Sequence, residues 1–265
     1  MTIFFMQHYY ALIIFLLVMG FLAGFVDAIA GGGGLISLPA LIYTGMPVVE
    51  ILGTNKFQSS IGTGIAVINY YKNDLIDLST VWRGLLFGFI GAISGALAAT
   101  YISNQFMRYI VPFFMLFIFV YSLFKKQLGI KPTKEKLNPI IFFSIFGLIL
   151  GFYDAFFGPG TGNFWIIAIV YFLGYTFLKA SGYAKVLNLK SNLFSLVIFL
   201  YYGHVQFTLG IVMAIGNLCG GYIGSQSVIL NGSKLVRPIF IIVVFINVIL
   251  SFYQLIFSKN VNIGL

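Results

Sequence analysis

Four long apolar runs recur along this chain, at residues 11–30, 85–102, 109–124 and 139–157. Each approaches the roughly 20 residues that a helix needs to cross the hydrocarbon core of a bilayer. Lipid offers no hydrogen-bond partner to backbone N–H and C=O groups, so such runs must form helices, and they lack the alternation of barrel strands. We therefore predict an all-α, polytopic integral membrane protein, a multi-pass helical bundle in the cell membrane.

Composition excludes a water-soluble core, because 60% of the residues are hydrophobic and only 8% are charged, against roughly 25% charged residues in soluble domains. The formal net charge of +9 does not indicate a nucleic-acid partner, since the lysines lie in segments that flank the predicted spans. Cys219 is the single cysteine, and His8 and His204 are the only histidines. We therefore expect no disulfide, no metal site and no cofactor.

An internal repeat relates the two halves of the sequence. Six positions match at one constant offset: Gly20, Gly24, Asp27, Ala28, Gly31 and Gly33 correspond to Gly147, Gly151, Asp154, Ala155, Gly158 and Gly160. Further on, Lys56 corresponds to Lys185, and the pair Gly91 and Gly95 corresponds to Gly216 and Gly220. We predict a tandem duplication with a first membrane repeat at residues 1–124, a basic cytoplasmic linker at 125–138 and a second membrane repeat at 139–265.

Each half is predicted to contain one long helix, a glycine-rich break, a short apolar segment, a helix with a polar stripe and two further spans. This gives eight full spans plus two short broken or re-entrant helices. The first short segment, residues 35–45, covers about half of a ~30 Å core at 1.5 Å per residue. If the short segments count as crossings, nearly all lysines fall on one face, so the positive-inside rule favours inverted halves with both termini outside. A parallel arrangement stays open.

Two aspartates, Asp27 and Asp154, lie within predicted spans. An ionisable side chain there costs at least ~2.5 to 3.5 kcal/mol and is normally paired or faces a cavity. Gly20, Gly24, Asp27 and Gly31 share one helical face, so Asp27 is predicted to face protein rather than lipid. The aspartates have either a coupling role, with a proton or sodium as the coupling ion, or a structural role as caps of neighbouring short helices.

Glycine-rich segments interrupt both halves. Broken helices at membrane depth are tolerated where they are buried in protein or line an aqueous site. If short helices begin after the breaks, their N–H groups and positive dipole ends favour an anion. A tight packing turn without a ligand is the alternative. The residues that we assign to the ligand site in these segments are Gly31, Gly32, Gly33, Gly34, Gly158, Gly160 and Thr161.

A polar stripe lies on the helix after each break. These side chains supply hydrogen-bond donors and one cation in each half to a site for a small anionic substrate. Alternatively, the two lysines extend to the membrane interface. Lys190 lies deeper but has no counterpart in the first half. The assigned residues are Asn55, Lys56, Gln58, Ser59 and Thr63 in the first half and Lys185, Asn188 and Asn192 in the second.

These motifs, at residues 24–41 and 52–56 and in a degenerate second copy around Gly151 and Gly158, resemble the sulfite exporter TauE/SafE family, also called the toluene sulfonate uptake permease family. The likeness covers nearly the whole chain. It implies a duplicated permease for sulfite, sulfonates or related anions, whose glycine-rich segments and following polar helices form the substrate path. It also brings Thr54 into the candidate site. The second copy departs from the first at Pro159 and Thr161.

We predict a secondary active transporter of small anions, with an anion channel as the alternative. Broken helices in inverted repeats suit alternating access, and no nucleotide-binding domain indicates a primary pump. An intramembrane enzyme is disfavoured, because the sequence has no Gly-x-Ser-x-Gly motif and no partner for either histidine. The sequence itself selects no single anion, direction of flux or oligomeric state; its expected partners are the lipid bilayer, the anion and the coupling ion.

Overall fold

The computed structural model describes residues 2–101, 113, 116–117, 119–120, 129–158 and 160–257. The regular structure of these residues is helical, which confirms the all-α prediction. A π-helical turn, Ile169–Leu173, directly follows the helix Thr161–Ala168. The helices are α1 (Thr2–Ala30), α2 (Gly34–Ile42), α3 (Val48–Lys72), α4 (Leu78–Tyr101), α5 (Pro139–Phe156), α6 (Thr161–Ala168), α7 (Phe177–Tyr201), α8 (Phe207–Asn231) and α9 (Ser233–Phe257).

Within the described residues, five helices are long and apolar enough to cross a membrane, namely α1, α4, α5, α7 and α8. Helix α3 is as long as α7, with 25 residues, but its polar stripe gives it a lower mean hydropathy. The span predicted at residues 109–124 lies mostly outside the described residues, as does part of the linker at 125–138. The total of eight spans and the boundaries of the two repeats therefore stay predictions.

Glycines end α1 and α5. Gly31 and Gly32 have φ angles of 81° and 87°, and Gly158 and Gly160 have 88° and 79°, values that L side chains disfavour. The 9 residues of α2 span about 14 Å, roughly half of a bilayer core. Helix α2 ends at Ile42, so the predicted short segment at 35–45 begins one residue late and includes the turn that follows. The breaks are thus real interruptions that place two short helices inside the bundle.

Close backbone contact joins α1 to α8. Gly20 lies against Met213 and Gly24 against Asn217, while Gly216 and Gly220 lie against Leu17 and Phe21. The numbers rise together on both helices, so α1 and α8 are parallel. A side chain at these glycines would meet backbone atoms of the partner helix, which explains the small-residue spacing as helix packing.

The seam between α4 and α5 has the same design. Gly91 lies against Leu148 and Gly95 against Phe152, and Gly147 and Gly151 on α5 face Gly84 and Gly88 on α4. These two helices are also parallel. Each seam therefore joins the first helix of one predicted repeat to the helix before the last predicted span of the other.

Helix directions follow from the residues that meet. Helix α3 runs antiparallel to α7, because Gly53 lies beside Phe199 whereas Gly64 lies near Leu189. It runs parallel to α8, since Gly62 meets Asn217 and Asn69 Nδ2 donates to Ser225 Oγ at 2.8 Å.

Helix α4 runs parallel to α7, with Gly84 beside Leu187 and Gly88 beside Lys190. It follows that α1, α3 and α8 point one way and that α4, α5 and α7 point the other way. Three pairs that the predicted repeat matches, α1 with α5, α3 with α7 and α4 with α8, are opposed in direction. This pattern supports the predicted inversion of the two halves.

The basic segments meet at one end of the bundle. Thr133 N donates to Gly174 O at 2.8 Å, which ties the linker to the loop before α7. Leu178 N donates to Ser233 Oγ at 3.0 Å, and Asp77 N donates to Tyr183 Oη at 3.2 Å. The lysines that these contacts bring to the same end are Lys72, Lys131, Lys134, Lys136, Lys179 and Lys234. This is the charge distribution that an inverted arrangement predicts.

Candidate functional site

The two helix breaks enclose a polar cavity of ≈ 40 Å³ near the middle of α3 and α7. At about 10–15 Å³ for each water, this is room for about three water molecules or one small oxyanion. Most of the predicted site residues line it. The lining residues are Asp27, Gly32, Gly33, Gly34, Asn55, Lys56, Ser59, Thr63, Asp154, Gly158, Gly160, Thr161, Gly162, Asn188, Asn192 and Asn217.

Helical spacing explains why distant sequence positions converge. Lys56, Ser59 and Thr63 lie three and four residues apart on α3, and Asn188 and Asn192 lie four apart on α7, so each set shares one helix face. Because α3 and α7 cross beside the two breaks, both faces reach the same cavity. The polar stripes predicted from the sequence therefore face each other.

Lys56 forms a buried ion pair across the halves. Its ammonium donates to Asp154 Oδ1 at 2.9 Å, to Asp154 O at 2.6 Å and to Asn192 Oδ1 at 3.2 Å. The side chains of Lys56 and Asp154 are only 3% and 7% exposed. An ammonium has three N–H donors, so this lysine uses all of them.

Lys185 forms the second pair, with Asp27. Its ammonium donates to Asp27 Oδ2 at 2.8 Å, and Gly33 N donates to Asp27 Oδ1 at 3.3 Å. Asp27 thus holds a lysine of the other half and also caps the start of α2. Because both lysines are buried and paired, the alternative in which they extend to the membrane interface is wrong.

Four predicted site residues lie outside the cavity lining. Gly31 packs against Gly162, which brings the two breaks into contact. Thr54 Oγ1 accepts from Gln206 N at 2.9 Å, at the start of α8. Lys185 lies behind Asp27, and Gln58 belongs to a hydrogen-bond network beside the cavity. The structure gives these residues supporting positions.

This amide network joins α2, α3 and α8. Ser37 Oγ donates to Asn55 Oδ1 at 2.6 Å, Gln58 Nε2 donates to the same oxygen at 2.8 Å, and Asn217 Nδ2 donates to Gln58 Oε1. Asn217 was not among the site residues predicted from the sequence, because it lies in a glycine-spaced stretch that indicates helix packing. An amide in an otherwise apolar span was the available signal, because buried polar groups in lipid need partners.

Helix N-termini add positive potential to the cavity. Gly34 at the start of α2 and Gly162 at the start of α6 line the cavity, whereas the N–H groups of Gly33 and Thr161, which also line it, already donate to Asp27 Oδ1 and Gly158 O. The first N–H groups of a helix have no acceptor within it and carry the positive end of its dipole. Ser59 and Thr63, which carry hydroxyl groups, also line the cavity. An anion fits these donors better than a cation does.

Two buried acceptor atoms of the cavity residues stay open. Asp154 Oδ2 and Asn188 Oδ1 have no hydrogen-bond partner within the described chain, although both residues are about 95% buried, with exposures of 5% and 6%. Asp27, by contrast, has a donor on each carboxylate oxygen. The two aspartates are therefore equivalent in sequence but not in their hydrogen bonding.

Lys190 is buried away from the cavity. Its ammonium donates to Gly84 O at 3.3 Å, and any side chain at Gly88 would overlap it. The glycine spacing of α4 thus serves both the seam with α5 and the space for this lysine.

Comparison with known proteins decides the family. The sequence model described as Sulfite exporter TauE/SafE matches residues 16–250. The chain belongs to this family. A "Probable membrane transporter protein" of Haemophilus influenzae is 40% identical over 234 residues, covering 88% of this chain and 92% of the relative. YfcA of Escherichia coli, named in the same way, is 38% identical over 222 residues, covering 84% and 82%. No solved structure matches the chain.

Membership of the TauE/SafE family confirms the resemblance drawn from the glycine-rich motifs. The protein is a membrane transporter and not an enzyme. Its apolar helices and its relatives agree on a multi-pass membrane protein. The polar cavity between the breaks is the candidate site for the solute of this TauE/SafE transporter, since it gathers the buried polar groups of both halves.

Proposed function

We propose that this TauE/SafE protein is a secondary active transporter of small anions, such as sulfite, sulfonates or related organosulfur anions, and that it binds them in the polar cavity. One observation carries the proposal: the N-termini of α2 and α6, the Lys56 ammonium and several hydroxyl and amide groups converge on one small volume. Backbone N–H groups at helix N-termini are common anion ligands. The volume suits an anion of a few heavy atoms.

Charge balance supports a coupled cycle. Each lysine is neutralised by an aspartate of the other half, so the two pairs contribute no net charge and an anion is held chiefly by dipoles and hydroxyl groups. Neutralising one aspartate, by a proton or by a sodium ion that displaces its lysine, adds one positive charge beside the anion. At the low effective dielectric of a buried site this attracts the anion strongly. Binding of the coupling cation therefore raises the affinity for the anion, and binding of the anion raises the affinity for the cation.

Asp27 is the first candidate for the coupling residue and Asp154 the second. Both are intramembrane carboxylates, which are functional candidates by default. The side chain of Asp27 is 21% exposed and that of Asp154 is 7% exposed, so an ion from water reaches Asp27 more readily. Asp27 also contacts Gly33 beside the first break. Its charge state can therefore act on the position of α2.

Opposed helix directions favour a carrier over a channel. Inverted halves that meet at a central site can rock against each other and expose that site alternately. Gly31 and Gly162 are in contact, so the two breaks touch each other in the bundle. A channel, the alternative function, would need a continuous pore at this level.

Flux measurements in proteoliposomes test the proposal. We expect saturable uptake of sulfite or methanesulfonate, driven by a proton or sodium gradient, and no uptake of choline. Lys56→Gln should weaken anion uptake, whereas Lys134→Gln, which removes an equal charge from the exposed linker, should not. A flux that does not saturate and ignores both gradients would indicate a channel. No anion flux at all would reject the proposal.

The coupling role is tested with Asp27→Asn. Asparagine can still accept the hydrogen bond from Gly33 N, because it is also a good capping residue. We expect the variant to bind anions but to lose accumulation driven by an ion gradient, while Asp77→Asn, at the exposed end of the bundle, retains it. Unchanged gradient-driven accumulation in Asp27→Asn would leave Asp27 with a capping role alone.

A further inference from the structure

Lys190 is a buried cation without a carboxylate partner among the described residues. It lies near the middle of α7 and is only 6% exposed. Its ammonium has three N–H donors, yet the described chain offers it one bond, to Gly84 O at 3.3 Å, and neither ion pair of that part of the chain includes it. A charge at this depth is costly, so an unpaired one is a functional candidate.

The Lys190 ammonium lies between α4 and α5, one helical turn from a residue of the cavity wall. A side-chain atom on Gly88 would overlap Lys190 Nζ and would lie 3.2 Å from Gly147 O. Gly151 packs against the same Gly88, and Asp154, which lines the cavity, follows Gly151 by about 5 Å along α5. The ammonium is therefore on the order of 10 Å from the Asp154 carboxylate, whose charge acts on it.

The interior charges of the described chain do not cancel. They are the carboxylates of Asp27 and Asp154 and the ammonium groups of Lys56, Lys185 and Lys190, and the other charged side chains that the structure describes lie near helix ends or in loops. The two ion pairs sum to zero, which leaves one positive charge on Lys190. An anion with one negative charge brings the total to zero, whereas a dianion leaves an uncompensated negative charge in a medium of low dielectric.

We infer that the cavity takes singly charged anions and that Lys190, without touching the anion, supplies the positive charge that balances it. The substrate class is thus monoanionic sulfonates, carboxylates or hydrogen oxyanions, rather than dianions such as sulfate. Two unit charges about 10 Å apart at an effective dielectric of about 20 change an affinity roughly tenfold, so a lysine outside the cavity is close enough. This inference rests on the proposed function, because it concerns the same cavity.

The extra charge comes from one half only. At the repeat offset of α3 and α7, Lys190 corresponds to the apolar Ile61. Gly88, which leaves room for the ammonium, corresponds to the longer Met213 on α8. A lysine in both halves would leave two positive charges, which a dianion would balance. The departure from the repeat therefore sets the charge of the preferred anion at one.

Methanesulfonate and sulfate test this inference, because they have nearly the same size and shape but carry one and two negative charges at neutral pH. Binding of each is measured by isothermal titration of the purified full chain in lipid-supplemented detergent at constant ionic strength. We expect the wild type to bind methanesulfonate at least about tenfold more tightly than sulfate. Equal affinities, or tighter binding of sulfate, would overturn the inference.

Variants that change the number of interior charges should move this preference in both directions. Lys190→Met removes a positive charge and should weaken methanesulfonate about tenfold and sulfate about a hundredfold, because a dianion loses twice the interaction energy. Asp27→Asn leaves one more positive charge and should shift the ratio of the two affinities toward sulfate by a similar factor. The double variant should restore the wild-type ratio. Lys134→Gln, in the exposed linker, should leave the ratio unchanged.

The ratio is the readout, because a packing role for Lys190 does not depend on the charge of the ligand. If Lys190→Met weakens both anions by the same factor, or weakens neither, the inference is wrong although the proposed anion transport stands. If Lys190→Met does not fold, Asp27→Asn decides by itself, and an unchanged ratio in that variant refutes the charge balance. If neither anion binds to the wild type, the proposed function fails first.

Discussion

The two lysine–aspartate pairs occupy corresponding places in the two halves, yet they differ in nearly every physical respect. Lys56 and Asp154 are almost fully buried. The Lys56 ammonium donates three hydrogen bonds, two to Asp154 and one to Asn192. Lys185 and Asp27 share one bond, and the carboxylate is 21% exposed and caps α2. Residues at matching positions of the two halves therefore need not have the same structural role, because their neighbours on other helices differ.

The largest expected difference is in stability. Lys56→Met leaves Asp154 buried without its cation, which costs about 3–5 kcal/mol when a buried pair is broken. Lys185→Met should cost less, about 1.5–3 kcal/mol, since Asp27 keeps its bond to Gly33 N and contact with solvent. Reversible unfolding in mixed detergent micelles measures both free energies.

The control for this prediction removes both charges of one pair. Replacing Lys56 with Met and Asp154 with Leu in the same chain should recover most of the lost stability, because a buried pair is often neutral in stability against apolar residues of similar volume. Transport should not recover, since the cavity has lost its ammonium and its carboxylate. Equal costs for Lys56→Met and Lys185→Met would show that the two pairs are energetically equivalent.

A second, smaller effect separates α8 from α4. Asn217 on α8 holds Gln58, whereas the matching position on α4 is the fully buried Ala92. Asn217→Ala gives α8 the same residue as α4 at this position and leaves Gln58 Oε1 without its donor. The change should lower the free energy of unfolding by about 1–3 kcal/mol.

On the same helix, Cys219→Ala changes an exposed side chain and should stay within about 0.5 kcal/mol. The free energies of unfolding of both variants are compared under one condition. An Asn217→Ala cost no larger than that of Cys219→Ala would mean that the amide network contributes nothing to stability.

The smallest effect concerns an exposed carboxylate outside the cavity. Asp77 accepts from Ser79 N at 2.9 Å and from Thr80 Oγ1 at 2.6 Å, at the start of α4. Hydrogen bonds from the Thr80 side chain and then from Ser79 lower the pKa of Asp77. A lowered folded-state pKa stabilises the fold above the unfolded pKa, and this is lost as the pH falls through the lower value.

The protection of the Ser79 and Thr80 amides against hydrogen exchange, measured relative to their intrinsic exchange rates, should therefore fall in acid for the wild type. In Asp77→Asn the exchange should show no such additional acid step, since the titrating group is gone. The same acid step in both proteins would assign it to another group. Asp27 and Asp154, which lie inside the bundle, should leave this local signal unchanged when replaced by asparagine.

The sequence alone determined the class of the fold and most of the residues that line the candidate cavity. Continuous apolar runs can only be helices in lipid, and glycine clusters at matching offsets mark the breaks because few other residues adopt positive φ. The helical spacing of Lys56, Ser59 and Thr63 also placed these residues on one face. These features are local, since each depends on a few neighbouring residues and on the lipid environment.

Only the tertiary structure decided which residues meet. Asp27 pairs with Lys185 and Asp154 with Lys56 because α1, α3, α5 and α7 cross at the breaks with opposed directions, and no local pattern encodes such a crossing. The same packing set Lys185 behind Asp27, brought Asn217 to the cavity and left Asp154 Oδ2 and Asn188 Oδ1 open. Hydrogen-bond satisfaction depends on every neighbour in three dimensions, so a repeated sequence could predict the members of the site but not the difference between its two halves.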